Sequence, residues 1–127
     1  MSHAVKKVTP VLLVEAIEPC VPFWERLGWM KVAEVPHEGA LGFVILVKDD
    51  VELMYQTRAS VADDLPALAD SPVGGTFLFI EVDDLDAVSA ALGDVPVLFP
   101  RRTTFYGMDE FGVREPGGNA VTFAQKS

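Results

Sequence analysis

A single cysteine, Cys20, stands among the 127 residues. One thiol cannot close an intrachain disulfide, which suits a reducing compartment. No stretch reaches the roughly 18 apolar residues that a membrane span requires. The opening segment, "MSHAVKKVTP", contains no apolar run long enough for a signal peptide, so a cytoplasmic location is the expectation. Basic residues are scarce, with 10 Lys and Arg against 19 Asp and Glu and a formal net charge of -9. The longest basic runs are the pairs Lys6-Lys7 and Arg101-Arg102. Such a chain repels phosphate backbones, so nucleic acid is not an expected partner, nor is a membrane. The acidic excess favours solubility and attracts cationic ligands.

Familiar catalytic signatures are also missing. Ser60, Ser71 and Ser89 lie in no nucleophile-elbow context. "VGG" at 73–75 lacks the Lys-Ser/Thr that a phosphate loop needs. His37 stands beside Glu38 in "VPHEGALG", read as a loop, with no partner at catalytic spacing. His3 sits near the terminus. Cys20 lies on an apolar helix stripe and reads as a small buried hydrophobe rather than a nucleophile.

What is present is a repeated order of elements. "KVTPVLLVE", 7–15, is apolar on both faces and predicts a buried strand. In "PCVPFWERLGW", Cys20, Trp24 and Leu27 fall on one helix face, Pro19 and Pro22 suit a first turn, and Gly28 suits a stop. "LGFVILVKDDVELMYQT" predicts two strands joined across Asp49-Asp50. Residues 59–73, rich in Ala, Asp and Pro, read as a linker with a short helical turn. The second half restarts with the strand "GTFLFIEVD". A helix follows, capped by Asp83 or Asp84, striped by Leu85, Val88 and Leu92, and stopped by Gly93. "VPVLFP", "TTFYGMDEFGVRE" and "NAVTFAQ" supply the last strands, with a turn at Pro116-Gly117-Gly118-Asn119. "PVLLVEAIE" aligns with "FLFIEVDDL", and "VELMYQ" with "VTFAQK", so the chain reads as an α+β duplication of a β-α-β-β-β unit.

The segments "PFWERLGW", "FIEVDDLDAVSAAL" and "FGVREPGGNAVTF" together resemble the vicinal-oxygen-chelate superfamily, which includes glyoxalase I, extradiol dioxygenases, and fosfomycin- and bleomycin-resistance proteins. The resemblance spans nearly the whole chain. It implies a single domain, 1–127, in which modules 5–58 and 74–127, joined by linker 59–73, form a cupped mixed sheet. It implies a homodimer with sites near the subunit interface. Relatives that hold a divalent metal use four side chains, two per module. By position these fall on Pro10, Glu52, Phe77 and Thr122, of which Glu52 alone is an ordinary ligand. The expectation is therefore no metal, no cofactor and no assigned catalytic residue.

If Glu52 faces the cup, strand alternation sends Met54 there too. Phe77, Phe79 and Glu81 follow on the fifth strand, Ala120, Thr122 and Ala124 on the last, and Pro10, Leu12 and Val14 on the first. The segment "RRTTFYGMDE" reads as a loop closing over the ligand through Phe105, Tyr106 and Met108, with Arg102 at its edge. The plainer reading makes the rings core packing and the loop an ordinary one. The resemblance favours a metal-free protein that binds a small molecule, sequestering a planar or cationic drug or metabolite, as in antibiotic resistance. The alternative is a superfamily lyase, isomerase or dioxygenase with a non-standard or absent metal site.

Overall fold

A computed structural model describes residues 2–127. Two four-stranded mixed sheets are built in the same way. In the first half β1 (Val11–Val14) leads through α1 (Cys20–Glu25) to β2 (Met30–His37), β3 (Ala40–Lys48) and β4 (Val51–Thr57). In the second, β5 (Phe77–Glu81) leads through α3 (Leu85–Leu92) to β6 (Val97–Thr103), β7 (Met108–Arg114) and β8 (Ala120–Lys126). The strand orders are β1-β4-β3-β2 and β5-β8-β7-β6. β1 lies parallel to β4 and β5 parallel to β8, while the remaining pairs are antiparallel. The duplicated β-α-β-β-β order expected from sequence is the observed one. Each module contributes one four-stranded mixed sheet.

Local chemistry explains the elements. In β3, Val44 and Leu46 are buried while Phe43, Ile45 and Val47 on the opposite face are half-buried, the signature of a central strand. Pro36 and Pro100 sit in β2 and β6, edge strands where a missing N–H is tolerated. Asp84 caps α3 by accepting from Ala87 N at 3.1 Å, and Gly93 (φ 62) ends it. Part of the stretch read as a linker folds as α2 (Arg58–Asp64), capped by Thr57, followed by a single 3₁₀ turn at Pro66–Leu68. Among the described residues no helix is long and apolar enough to cross a membrane.

The halves share one core. Leu12, Val14, Trp24 and Tyr55 from the first half cluster with Val113, Val121 and Phe123 from the second. Backbone bonds also cross between them, including Gly74 N to Leu13 O at 3.0 Å. Leu12 and Val14 are fully buried in this core, so the expectation that they face the cup is wrong. The reason is the parallel register: Val11 pairs with Met54 and Leu12 with Tyr55. Val11 and Leu13 therefore share the face of Glu52 and Met54, and the even-numbered residues of β1 share the face of the buried Tyr55.

Candidate functional site

Glu52 is the second residue of β4, and the segment leading into the parallel strand β1 brings Thr9 beside it. Thr9 Oγ1 donates to Glu52 Oε1 at 3.1 Å, and Lys7 Nζ approaches the same oxygen at 3.1 Å. The Glu52 side chain retains 19% of its exposure, and both donors satisfy the same carboxylate oxygen. A cavity of about 640 Å³ opens here. Its walls include Lys7, Thr9, Trp29, Glu52, Phe79 and Glu81. Its volume lies within the range of small-molecule sites. Four acidic residues, Asp49, Asp50, Glu52 and Glu81, and an aromatic face suit a cationic or planar guest, and among the described residues of the wall the one ammonium is that of Lys7.

A second polar and aromatic cluster covers the open face of the other sheet. Across the β7–β8 ladder, Glu110 pairs with Ala124 and Gly112 with Thr122, while Thr122 pairs with Phe79 on its other side. Phe77 and Phe79 are thus on this face, and both are exposed. Glu110 is buried, with 3% exposure. Its Oε2 accepts from Arg102 Nε at 3.1 Å and Nη2 at 2.9 Å, and its Oε1 accepts from Tyr106 at 2.9 Å. Donating to a carboxylate pushes the Tyr106 phenol pKa up. The Arg102 guanidinium also lies 5.6 Å above the Phe99 ring.

The segment read as a closing loop is a hairpin. Arg101–Thr103 complete β6, Met108–Glu110 begin β7, and the turn is confined to residues 104–107 with Gly107 at φ 85. Cross-strand pairing of Arg102 with Glu110 and Thr103 with Asp109 supplies the ladder. At its tip Phe105 is fully exposed and packs edge-on against Tyr106, whereas Met108 is buried. Of the nine residues expected to line a ligand site, Glu52, Phe79 and Glu81 share the cavity wall. Phe105, Tyr106 and Met108 are at the hairpin, Phe77 and Thr122 on the second sheet's open face, and Met54 on the first sheet's face beside Val11 and Ile45.

Thr9, Lys7, Trp29 and Glu110 were missed by the sequence reading. Glu110 had a signal: Arg102 and Glu110 lie on either side of a glycine-containing turn, at a spacing that a short hairpin brings face to face. His37, read as part of a loop, is the last residue of β2.

The donor set does not fit a chelated transition metal. Pro10 lines the cavity but has no donor side chain, and Thr9 is the neighbour whose hydroxyl reaches Glu52. With Thr122 and a phenylalanine from β5 completing the four positions, the set offers one carboxylate and two neutral hydroxyls. Zinc, nickel and iron sites draw three or four donors from His, Cys, Asp and Glu.

No family model matches the chain, and no curated protein matches it by sequence. Solved structures do match in fold. A glyoxalase/bleomycin resistance protein/dioxygenase from Nocardioides aligns with a TM-score of 0.72 at 18% identity, over 98% of this chain and 86% of that one. A lactoylglutathione lyase from Agrobacterium tumefaciens aligns with a TM-score of 0.73 at 16% identity, over 96% and 95%. A bleomycin-binding protein from Streptomyces verticillus, in complex with copper(II)-bleomycin, aligns with a TM-score of 0.64 at 26% identity, over 98% and 100%. The chain has the glyoxalase/bleomycin-resistance fold, and the resemblance to the vicinal-oxygen-chelate superfamily read from its motifs is borne out at that level.

Proposed function

We propose that this chain, built on the fold of glyoxalases and bleomycin-resistance proteins, is a metal-free binding protein that sequesters a planar or cationic drug or metabolite. The observation that carries this reading is the cavity in which Glu52 and Glu81 stand with the ring of Phe79. A cationic guest gains from both acids and from the ring face, and its charge replaces the Lys7 ammonium now beside Glu52. Binding then exchanges one cation for another at a half-buried carboxylate and leaves no charge unpaired. The bleomycin-binding neighbour supports the same class of ligand.

The reading includes a homodimer acting in the cytoplasm. Val11, Met30, Val35, Phe77, Phe79 and Phe105 are all more than half exposed, an apolar surface that a second copy would cover. Sedimentation of the purified chain as a monomer at micromolar concentration would remove that part of the proposal.

Isothermal titration with metal-free and copper-loaded bleomycin, and with a panel of planar cationic drugs, tests the binding itself. Saturable heat with at least one of them, and protection of cells that overexpress the chain, is the expected result. Silence in both assays ends the drug reading. The competing reading, a lyase, isomerase or dioxygenase, takes its support from the lyase neighbour. It requires a metal or an alternative acid-base pair, and a stoichiometric divalent metal held by Glu52, which elemental analysis of the wild type and of Glu52→Gln would detect, would favour it.

A further inference from the structure

His37, Glu38 and Asp63 converge on one point although Asp63 is far from the other two in the sequence. β2 and β3 are joined by a two-residue turn with His37 paired to Ala40. Glu38 and Gly39 both have positive φ, 50 and 84, as the tight hairpin turn that matches strand twist demands. This turn holds the Glu38 carboxylate beside the His37 imidazole. α2 brings the third group. It packs against the hairpin because position 42 is glycine. A Cβ there would stand 2.6 Å from the Cβ of His37 and 3.2 Å from that of Ser60. With that approach made, His37 Nε2 and Asp63 Oδ2 lie 2.7 Å apart. One donor atom from each of the three residues falls within 4.8 Å of the others.

We propose that this constellation is a divalent transition-metal site of the zinc class, distinct from the four chelating positions of the fold and independent of the small-molecule cavity. Its chemistry is that of an imidazole and two carboxylates, with water completing the shell. The two carboxylates neutralise a divalent charge. Among the described residues no Lys or Arg makes a salt bridge with Glu38 or Asp63, and the contact a metal must replace is the hydrogen bond between His37 Nε2 and Asp63 Oδ2, whose proton leaves as the ion binds. The imidazole is half-buried and held at the end of a strand, whereas both carboxylates are exposed, so the ion can enter from solvent without rearrangement of the core. The bound ion would tie the β2–β3 hairpin to α2, the helix that opens the connection between the two sheets. It is a structural staple rather than a reaction centre.

The test is titration of the full chain with zinc by calorimetry and with cobalt(II) by visible absorption, alongside thermal unfolding. One saturable equivalent and a higher Tm with zinc are expected. His37→Ala and Asp63→Asn should each weaken binding by about tenfold or more, since loss of even an outer-sphere partner costs that much. Both variants should lose the zinc-dependent rise in Tm. Asp63 is exposed, so its variant keeps the fold and isolates the ligand effect. His3→Ala and Glu52→Gln should bind as the wild type does. The absence of saturable binding overturns the proposal. So does binding that survives His37→Ala and Asp63→Asn, or that disappears with His3→Ala or Glu52→Gln.

Discussion

Tyr55, in β4, donates its hydroxyl hydrogen to the carboxylate of Glu115, which follows β7 in the other half of the chain. The same hydroxyl accepts from Trp24 Nε1 at 2.8 Å. Glu115 is almost fully buried, and its second oxygen accepts from the backbone and side-chain nitrogens of Asn119 at 2.6 and 3.2 Å. The Glu-Pro-Gly-Gly-Asn turn is thereby docked into the core of the first half. Gly117 leaves room for this, since a Cβ there would stand 2.5 Å from Val14 Cγ1. Tyr55→Phe removes a donor from a buried carboxylate and strips Trp24 of its acceptor. Leaving such groups unsatisfied costs about 1–3 kcal/mol. The urea midpoint should fall accordingly with an unchanged m-value. A midpoint equal to that of the wild type would show that the network contributes nothing.

Cys20 lies against the same carboxylate. Burial, followed by the Glu115 charge, pushes its thiol up to about 12. At pH 8 the native protein should resist a disulfide-exchange reagent such as Ellman's, and the thiol should react fully once urea is added. The sign of the alkaline effect follows. The unfolded thiol loses its proton near its ordinary value of 9.0, while the folded one keeps it to about 12. The unfolded state therefore binds fewer protons between those limits, and stability falls as pH rises through the window. Rapid labelling of the native protein at pH 8 would contradict this placement.

The repeat was legible because it is written twice in patterns that local physics reads well. Strand alternation, the Asp84 cap and the Gly93 stop all act within a few residues of chain. The phase of β1 was not legible. "PVLLV" is apolar at every position, so nothing local distinguishes Leu12 from Leu13, and the register with β4 decides. The hairpin at 97–114 was hidden because its edge strand carries Pro100 and register shifts on either side of Phe99, which break its alternation. Partners far apart in sequence were equally out of reach. Lys7 with Glu52, Tyr55 with Glu115 and His37 with Asp63 meet through tertiary packing alone. Glu52, Phe79 and Glu81 do line one cavity, but its wall also takes Leu53, Leu78 and Ile80 from the opposite phase of β4 and β5, so strand alternation alone does not select them.

Phe79 offers a direct test of the cavity. It is 56% exposed, so Phe79→Ala should leave the unfolding midpoint near that of the wild type. If its ring stacks on a cationic guest, the substitution should weaken binding by about 1 kcal/mol, roughly fivefold in Kd. Glu52→Gln should weaken a cationic guest and spare a neutral planar one. Equal loss for both guests would mean that Glu52 acts on the shape of the site rather than by its charge.

Gly112 and Phe99 set the geometry of the second sheet's open face. They are paired across β6 and β7, and a Cβ at position 112 would stand 2.1 Å from Phe99 Cε1 and 2.7 Å from Cδ1 and Cζ. Alanine meets no backbone penalty here, because Gly112 is not among the glycines with positive φ. Its whole cost is therefore the displaced ring, about 1–3 kcal/mol for a forced repacking. The ring also underlies the Arg102 guanidinium that holds Glu110, so its displacement loosens that pair as well. Removing the ring should remove most of the cost. In a double-mutant cycle, Gly112→Ala should be much less damaging when combined with Phe99→Ala, with a coupling of about 0.5 kcal/mol or more. Urea unfolding of the four proteins measures it. Strictly additive effects would mean that the ring moves aside freely, and that Gly112 is not what seats Phe99 beneath Arg102.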